Sequence, residues 1–195
     1  MISSQMARTL TLAFAVFGLV VAPGARAAEP AHPPALAASP AVVRIEPAVV
    51  LVEPGGVVTA SIVITDVAGL YGADVRLTFD PALVSVVDAD PGASGVQITP
   101  GPLLVSPLFI ALNRAENVTG TIGFAATMVN PSLPITGGGV FYLVQFRGVL
   151  TGVMPLTISY AELSTRTGST LSRSIEDGLI KIGSLNRVWS PRIWR

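Results

Sequence analysis

The chain has 195 residues, half of them hydrophobic, with 12 basic against 12 acidic side chains and no cysteine. That is composition enough for a buried core in one domain; it gives no strong field for nucleic acid or an acidic membrane, and it excludes disulfides, thiolate metal sites and a cysteine nucleophile. The single histidine, His32, stands ahead of any plausible fold, which argues against a Ser-His-Asp arrangement or a multi-histidine zinc site within the domain.

Residues 1–27 begin with a short segment bearing Arg8, continue as an apolar run from Leu10 to Ala22, and end in Ala25-Arg26-Ala27. A charged start, an apolar middle and a small-x-small ending are the layout of a secretory signal peptide, with cleavage after Ala27. The apolar run is shorter than the roughly 20 residues of a bilayer span, and an uncleaved anchor is the alternative. Cleavage removes Arg8 and Arg26, so the expected mature protein is slightly acidic and extracellular or at the cell surface. Residues 28–40, AEPAHPPALAASP, hold four prolines in thirteen positions and read as an extended spacer.

From Ala41 to Gly183 the texture is that of a β domain. Val, Ile, Leu and Thr dominate in short runs separated by Gly, Pro, Asn or Asp. Strands are expected near 42–46, 49–53, 57–65, 71–79, 83–89, 97–98, 108–113, 121–128, 140–148, 156–163 and 179–182. The segment 53–56, EPGG, and the segment 90–92, DPG, are turn sequences, and Glu176-Asp177-Gly178 reads as a hairpin turn. The stretch 100–107 reads as an irregular crossing, and 130–139, NPSLPITGGG, as a loop. A short helical turn is expected there or at 81–83. Alternation is plain at Tyr71, Ala73, Val75, Leu77 and Phe79, again at Ile122, Phe124, Ala126 and Met128, and again at Val140, Tyr142, Val144 and Phe146. Period-two patterning puts one side of each strand in a core and the other outward. Many such strands without helices make an all-β antiparallel sandwich or barrel. Residues 184–195, with Trp189, Trp194 and three arginines, read as a flexible tail, with an aromatic-basic binding segment as the alternative.

The chemistry expected of this domain is non-catalytic. Gly137-Gly138-Gly139 precedes a strand rather than a helix, so it is no phosphate loop. Asp88 and Asp90 stand two apart at a strand end and read as a turn, with a weak calcium site as the alternative. Asn117-Val118-Thr119 fits the glycosylation sequon, a pattern common by chance. No catalytic residue, metal ligand or cofactor site is assigned.

The segment 69–92, GLYGADVRLTFDPALVSVVDADPG, resembles the signature of cohesin domains: an alternating strand, an aromatic-Asp-Pro turn, and a second strand ending in a Pro-Gly turn. The ordered segments VEPGGVVTASIVITDV, GGGVFYLVQFRGV, PLTISYAELSTRTG and EDGLIKIG resemble further strands of the same family, so the likeness runs from Val42 to Gly183. It implies a jelly-roll sandwich of about nine strands that binds protein, with dockerin modules as the family's partners in extracellular polysaccharide-degrading assemblies such as cellulosomes. It implies a binding face on the outward side of strand 71–79, where Asp74 matches an acidic position of the family. Gly72 stands where the family often has a polar amide, a departure from the pattern. The outward positions Ala125 and Thr127 belong to the same small-residue surface. The candidate partner-binding set is Gly72, Asp74, Arg76, Asn113, Ala125 and Thr127.

Two other readings stay open at this point. One is a carbohydrate-binding module, a relative of the same sandwich. It would need exposed aromatics, whereas most here fall at inward positions, with Phe109 and Phe141 as the exceptions. The other is a structural cell-surface domain.

Overall fold

The computed structural model describes residues 39–184. The leader, the spacer up to residue 38 and the tail from residue 185, with both tryptophans, lie outside the described residues. Twelve strands are present among the described residues. In chain order they are β1 (Ala41–Glu46), β2 (Val49–Val52), β3 (Val57–Leu70), β4 (Gly72–Thr78), β5 (Val84–Val86) and β6 (Thr99–Pro100). The second half holds β7 (Leu108–Glu116), β8 (Thr121–Met128), β9 (Ile135–Gly148), β10 (Gly152–Ser164), β11 (Arg173–Glu176) and β12 (Gly178–Ile182). One sheet runs β11-β1-β3-β9-β5, with β6 also on β9; the other runs β2-β12-β10-β4-β8-β7. They face each other as the two layers of an all-β jelly-roll sandwich.

The count exceeds the expected nine because the chain changes sheets inside its first and last strands and because the two-residue β6 pairs with β9. β1 lies in one sheet and β2 in the other, and β11 and β12 repeat the division. The segment 176–178 is therefore not a hairpin turn. It carries the chain across the sandwich, with Asp177 Oδ1 accepting from the Ile158 N–H at 2.7 Å. Gly178 is needed for close approach, since a Cβ there would stand 2.7 Å from Ile45 Cγ2. Two pairings, β1 with β11 and β2 with β12, are parallel, so the sheets are mixed rather than wholly antiparallel.

Other differences have local causes. β3 runs on to Leu70 and β9 begins at Ile135, so half of the supposed 130–139 loop is strand. The two pair through a bulge between Ile64 and Val67, where Asp66 takes a φ of 57°. Gly138 packs against that kink; a Cβ there would lie 2.4 Å from the Ile64 carbonyl oxygen. Gly138 allows close strand approach and Gly137 takes a φ of 109°, so the glycine run serves a kinked strand rather than a loop. The short turn at 81–83 is present: Leu83 and Val84 N–H both donate to the Asp80 carbonyl, and Asp80 Oδ1 accepts from Ala82 N–H.

The core follows the expected inward rows, except that Val140 is only half-buried while Tyr142, Val144 and Phe146 are buried. Tyr71, Ala73, Val75, Leu77 and Phe79 are buried, as are Ile122, Phe124, Ala126 and Met128. Its centre is aromatic and spans both sheets. Phe124 on β8 meets Phe141 at 5.0 Å and Tyr142 at 5.4 Å between ring centroids, both on β9. The Phe141–Phe124 pair is edge-to-face, the geometry favoured by ring quadrupoles. Adjacent Phe141 and Tyr142 both point inward because the β3–β9 register shifts between Ile62 and Val63.

Two measurements follow from this centre. Phe124→Ala leaves a cavity between the sheets and should cost about 3–5 kcal/mol of unfolding free energy, read by chemical denaturation; a loss under about 1 kcal/mol would show that the ring is not held between the sheets. Burial pushes the Tyr142 phenol well above its usual ionisation range. Its folded pKa exceeds the unfolded one, so the associated stability is whole below about pH 10 and is lost as pH rises beyond that, where the unfolded chain releases the proton first. The denaturation midpoint should therefore fall on the alkaline side of pH 10, and fall less in Tyr142→Phe. Equal alkaline losses in the two proteins would exclude Tyr142 as the cause.

Candidate functional site

Because β4 turns Ala73, Val75 and Leu77 inward, it sends Gly72, Asp74, Arg76 and Thr78 to the outer face of its sheet. Register extends that row across four strands. Asp74 lies between Glu162 of β10 and Ala125 of β8, Arg76 between Tyr160 and Gly123, and Gly72 between Ser164 and Thr127. On β7, Leu112 stands opposite Ala125 and Arg114 opposite Gly123. β4 and β8 are interior strands with their backbones paired on both sides, so this face offers side chains rather than a free edge.

The middle of the face is an organised polar group. Arg76 donates twice to Asp74, from Nε to Oδ1 at 3.1 Å and from Nη2 to Oδ2 at 2.7 Å. That hydrogen bond and the Asp74 charge hold the Arg76 guanidinium still more firmly protonated than usual. The same guanidinium lies over the Tyr160 ring, 5.1 Å from its centroid. Tyr160 Oη in turn donates to Glu162 Oε2, and this hydrogen bond pushes the phenol's ionisation upward. Four side chains from two adjacent strands thus form one chain of contacts, Asp74–Arg76–Tyr160–Glu162.

Small residues make the ground around it low. At Gly72 a Cβ would meet the Ser164 and Thr127 hydroxyls at 3.0 Å, and at Gly123 it would meet Leu112 Cδ2 at 2.6 Å. Two depressions result. One, of about 230 Å³, is lined by Gly72, Asp74, Phe109, Ala111, Ala125, Thr127 and Glu162. The other, of about 320 Å³, lies between Arg76, Leu112, Arg114, Gly123 and Ser159. A larger hollow of about 440 Å³ sits elsewhere, at the start of β1 against the β3 kink. Its one carboxylate, Asp66, already takes the Thr65 hydroxyl, and no group of side chains converges on it.

Five of the six expected site residues, Gly72, Asp74, Arg76, Ala125 and Thr127, are brought together on this face. Asn113 is not. It pairs with Phe124 in register and so points to the inner side of the sheet. Its amide accepts from Ile98 N–H at 2.9 Å and donates to the Ile98 carbonyl at 3.0 Å, tying the 97–98 segment to the edge of β7. Asn117 is used in the same way on Val86, with both amide atoms committed at 2.7 and 2.9 Å, so the sequon asparagine is turned into the fold. Asp88 Oδ1 accepts from the Asp90 and Gln97 amides, and Asp90 Oδ1 from Gly92, which makes these carboxylates organisers of their loop. No group of three or more His, Cys, Asp or Glu side chains suited to a metal ion occurs among the described residues.

Phe109 and three residues not singled out from the sequence, Tyr160, Glu162 and Ser164, complete the face. β10 hides its alternation, because the register with β4 shifts between Ile158 and Tyr160 and reverses the row there. Tyr160 is consequently 39% exposed, and the expected outward ring Phe141 is 1% exposed; Phe109 is outward as expected, at 58%.

The model of the cohesin domain family matches residues 43–147. A search of curated proteins gives no match. Among solved structures, a type II cohesin domain from the cellulosome of Acetivibrio cellulolyticus is similar with a TM-score of 0.61 at 16% identity, over 73% of this chain and 95% of that one. A non-cellulosomal cohesin from the hyperthermophilic archaeon Archaeoglobus fulgidus is similar with a TM-score of 0.58 at 17% identity, over 76% and 94%. The third cohesin ScaC of Acetivibrio cellulolyticus, solved in complex with the ScaB dockerin, gives 0.58 at 22% identity, over 74% and 99%. With a family model matching more than half of its length, inside a sandwich of the same fold, this chain belongs to the cohesin family.

Proposed function

We propose that the domain is a non-catalytic adaptor that binds a dockerin-type protein module on the outer face of β10-β4-β8-β7. The observation that carries this reading is the low, rigid surface built around the doubly hydrogen-bonded Asp74–Arg76 pair. Interior strands fix its backbone, small residues let another backbone come near, and paired side chains give it a set pattern of donors and acceptors. Such a face suits a helix laid across the strands, with specificity from the Asp74–Arg76 group and Thr127. Family membership supports the partner class, as does the complex in which one structural relative was solved. The archaeal relative is described as non-cellulosomal, so dockerin binding is the core of the proposal and a polysaccharide-degrading assembly is its setting.

A sugar-binding face is less well supported. Among the described residues the exposed aromatics on this sheet are Phe109 and Tyr160, and Arg76 already covers one side of Tyr160. That leaves no pair of bare rings for stacking.

Binding should be measured against the dockerin modules encoded in the same genome. Ala125→Arg places a long cation in the middle of the face, where Ala125 is half-buried and outward, and should abolish binding while the fold is kept. Asp74→Asn removes the charge from the Arg76 pair; its stability cost should stay within about 1 kcal/mol, as for other partly exposed ion pairs, and its binding should weaken. Unchanged binding in Ala125→Arg would move the interface elsewhere.

Export is part of the same proposal. The signal-peptide layout of residues 1–27 predicts a mature chain starting at Ala28. N-terminal sequencing of the native protein checks this, and recovery of an intact Met1 end would overturn it. Among the described residues no helix is long and apolar enough to cross a membrane.

A further inference from the structure

We infer that the docking face reads charge through Glu162, and selects a partner helix that carries a basic side chain one turn from an aliphatic anchor. This rests on the docking function proposed above.

The inference starts from the charges of the four strands. Asp74 is neutralised by Arg76, and Glu116 by Arg114, each by an ion pair on its own strand. Glu162 has no cation within salt-bridge distance among the described residues; its contact is the neutral Tyr160 hydroxyl. Arg166, four residues on, is committed elsewhere, donating to Asn130 Oδ1 and lying over the Tyr71 ring. The face therefore carries one uncompensated negative charge, and its carboxylate is held in place by a phenol rather than free to swing away.

Position gives that charge its meaning. Glu162, on β10, lines the 230 Å³ depression together with Gly72, Ala125, Ala111 and Phe109, and the last two lie two strands beyond β4 on β7. Such a hollow, lined mostly by small and apolar side chains, admits a branched aliphatic side chain. A helix that seats Leu, Ile, Val or Met there brings its residues three or four positions away onto the same side. One of them meets Glu162. An Arg or Lys satisfies the carboxylate as water is excluded; an Asp or Glu at that place leaves two like charges desolvated together, which is the stronger part of the discrimination. Tyr160 is a positioning residue in this scheme, acting through Glu162.

The test uses the full domain and a surface-displayed library of a dockerin module, randomised at two positions four residues apart on its exposed helix face. Selection on the wild-type protein should enrich an aliphatic residue at one position and Lys or Arg at the other. Selection on Glu162→Lys should keep the aliphatic residue and exchange the basic one for Asp or Glu. For a single selected clone, Glu162→Gln should weaken binding about threefold to tenfold, with a shallower salt dependence than wild type. Both variants should melt near the wild-type temperature, since the site is on the outer face. An aliphatic preference without a charge preference, or a charge preference unmoved by Glu162→Lys, overturns the role of Glu162 and leaves docking standing. Enrichment of no clone on the wild-type protein overturns docking on this face, and the inference with it.

Discussion

The contact of Phe124 with Phe141 and Tyr142 across the sandwich is the constraint from which the rest of this domain follows. It joins the inner side of one sheet to the inner side of the other. A strand has a side-chain period of two, so a ring locked inward at 124 sends Gly123 and Ala125 outward, with no freedom to slip by one residue. Val75 pairs with Phe124 and is fully buried, which places Asp74 and Arg76 outward on β4 by the same rule. The candidate docking face is therefore fixed by the core behind it. Tyr142 adds a polar tie, its hydroxyl reaching the Val75 carbonyl at 3.4 Å.

A chain without cysteine must keep its two layers from sliding by other means. Here the first and last strands do this. β1 and β2 are joined by two residues yet belong to opposite sheets, and β11 and β12 are joined by one. Each crossing is stitched to its neighbour by parallel pairing, four register pairs on either side. Shearing one sheet over the other would have to break both sets of backbone hydrogen bonds at once, or tear the rows of buried side chains such as Val43, Ile45, Val50 and Val52.

Much of this was readable from the sequence wherever strands obey strict alternation. Tyr71 to Phe79 and Ile122 to Met128 gave the inner rows, and the inner rows gave five residues of the outer face. The failures share one cause, which is backbone irregularity that composition does not announce. A bulge between Ile158 and Tyr160 reverses β10, so Tyr160 and Glu162 join the face without a pattern to mark them. A register shift in β9 lets two adjacent aromatics both face inward, which hides Phe141. Glycine misled twice, at 138 and at 178, because a residue needed for close packing looks the same in sequence as one needed for a turn. Asn113 misled in a different way: a polar side chain near a sheet edge can serve the backbone of a neighbouring segment, as Asn117 also does, and only the partner's position in space shows it.

The outer face also has to remain soluble when empty, and its charge arrangement answers both needs. Glycine and alanine expose backbone and small apolar surface, which alone would invite indiscriminate association. The Asp74–Arg76 and Arg114–Glu116 pairs interrupt that surface with groups whose charges are already matched within this chain. A partner covering them does not have to supply compensating charge, and the Asp74–Arg76 pair keeps both its hydrogen bonds as water leaves. Glu162 is the exception on the four strands. Its desolvation is unfavourable for any partner that brings nothing positive to it, so the same surface that tolerates many small apolar contacts penalises the wrong charge at one point. Specificity on such a face comes less from the number of contacts than from the single group left unmatched.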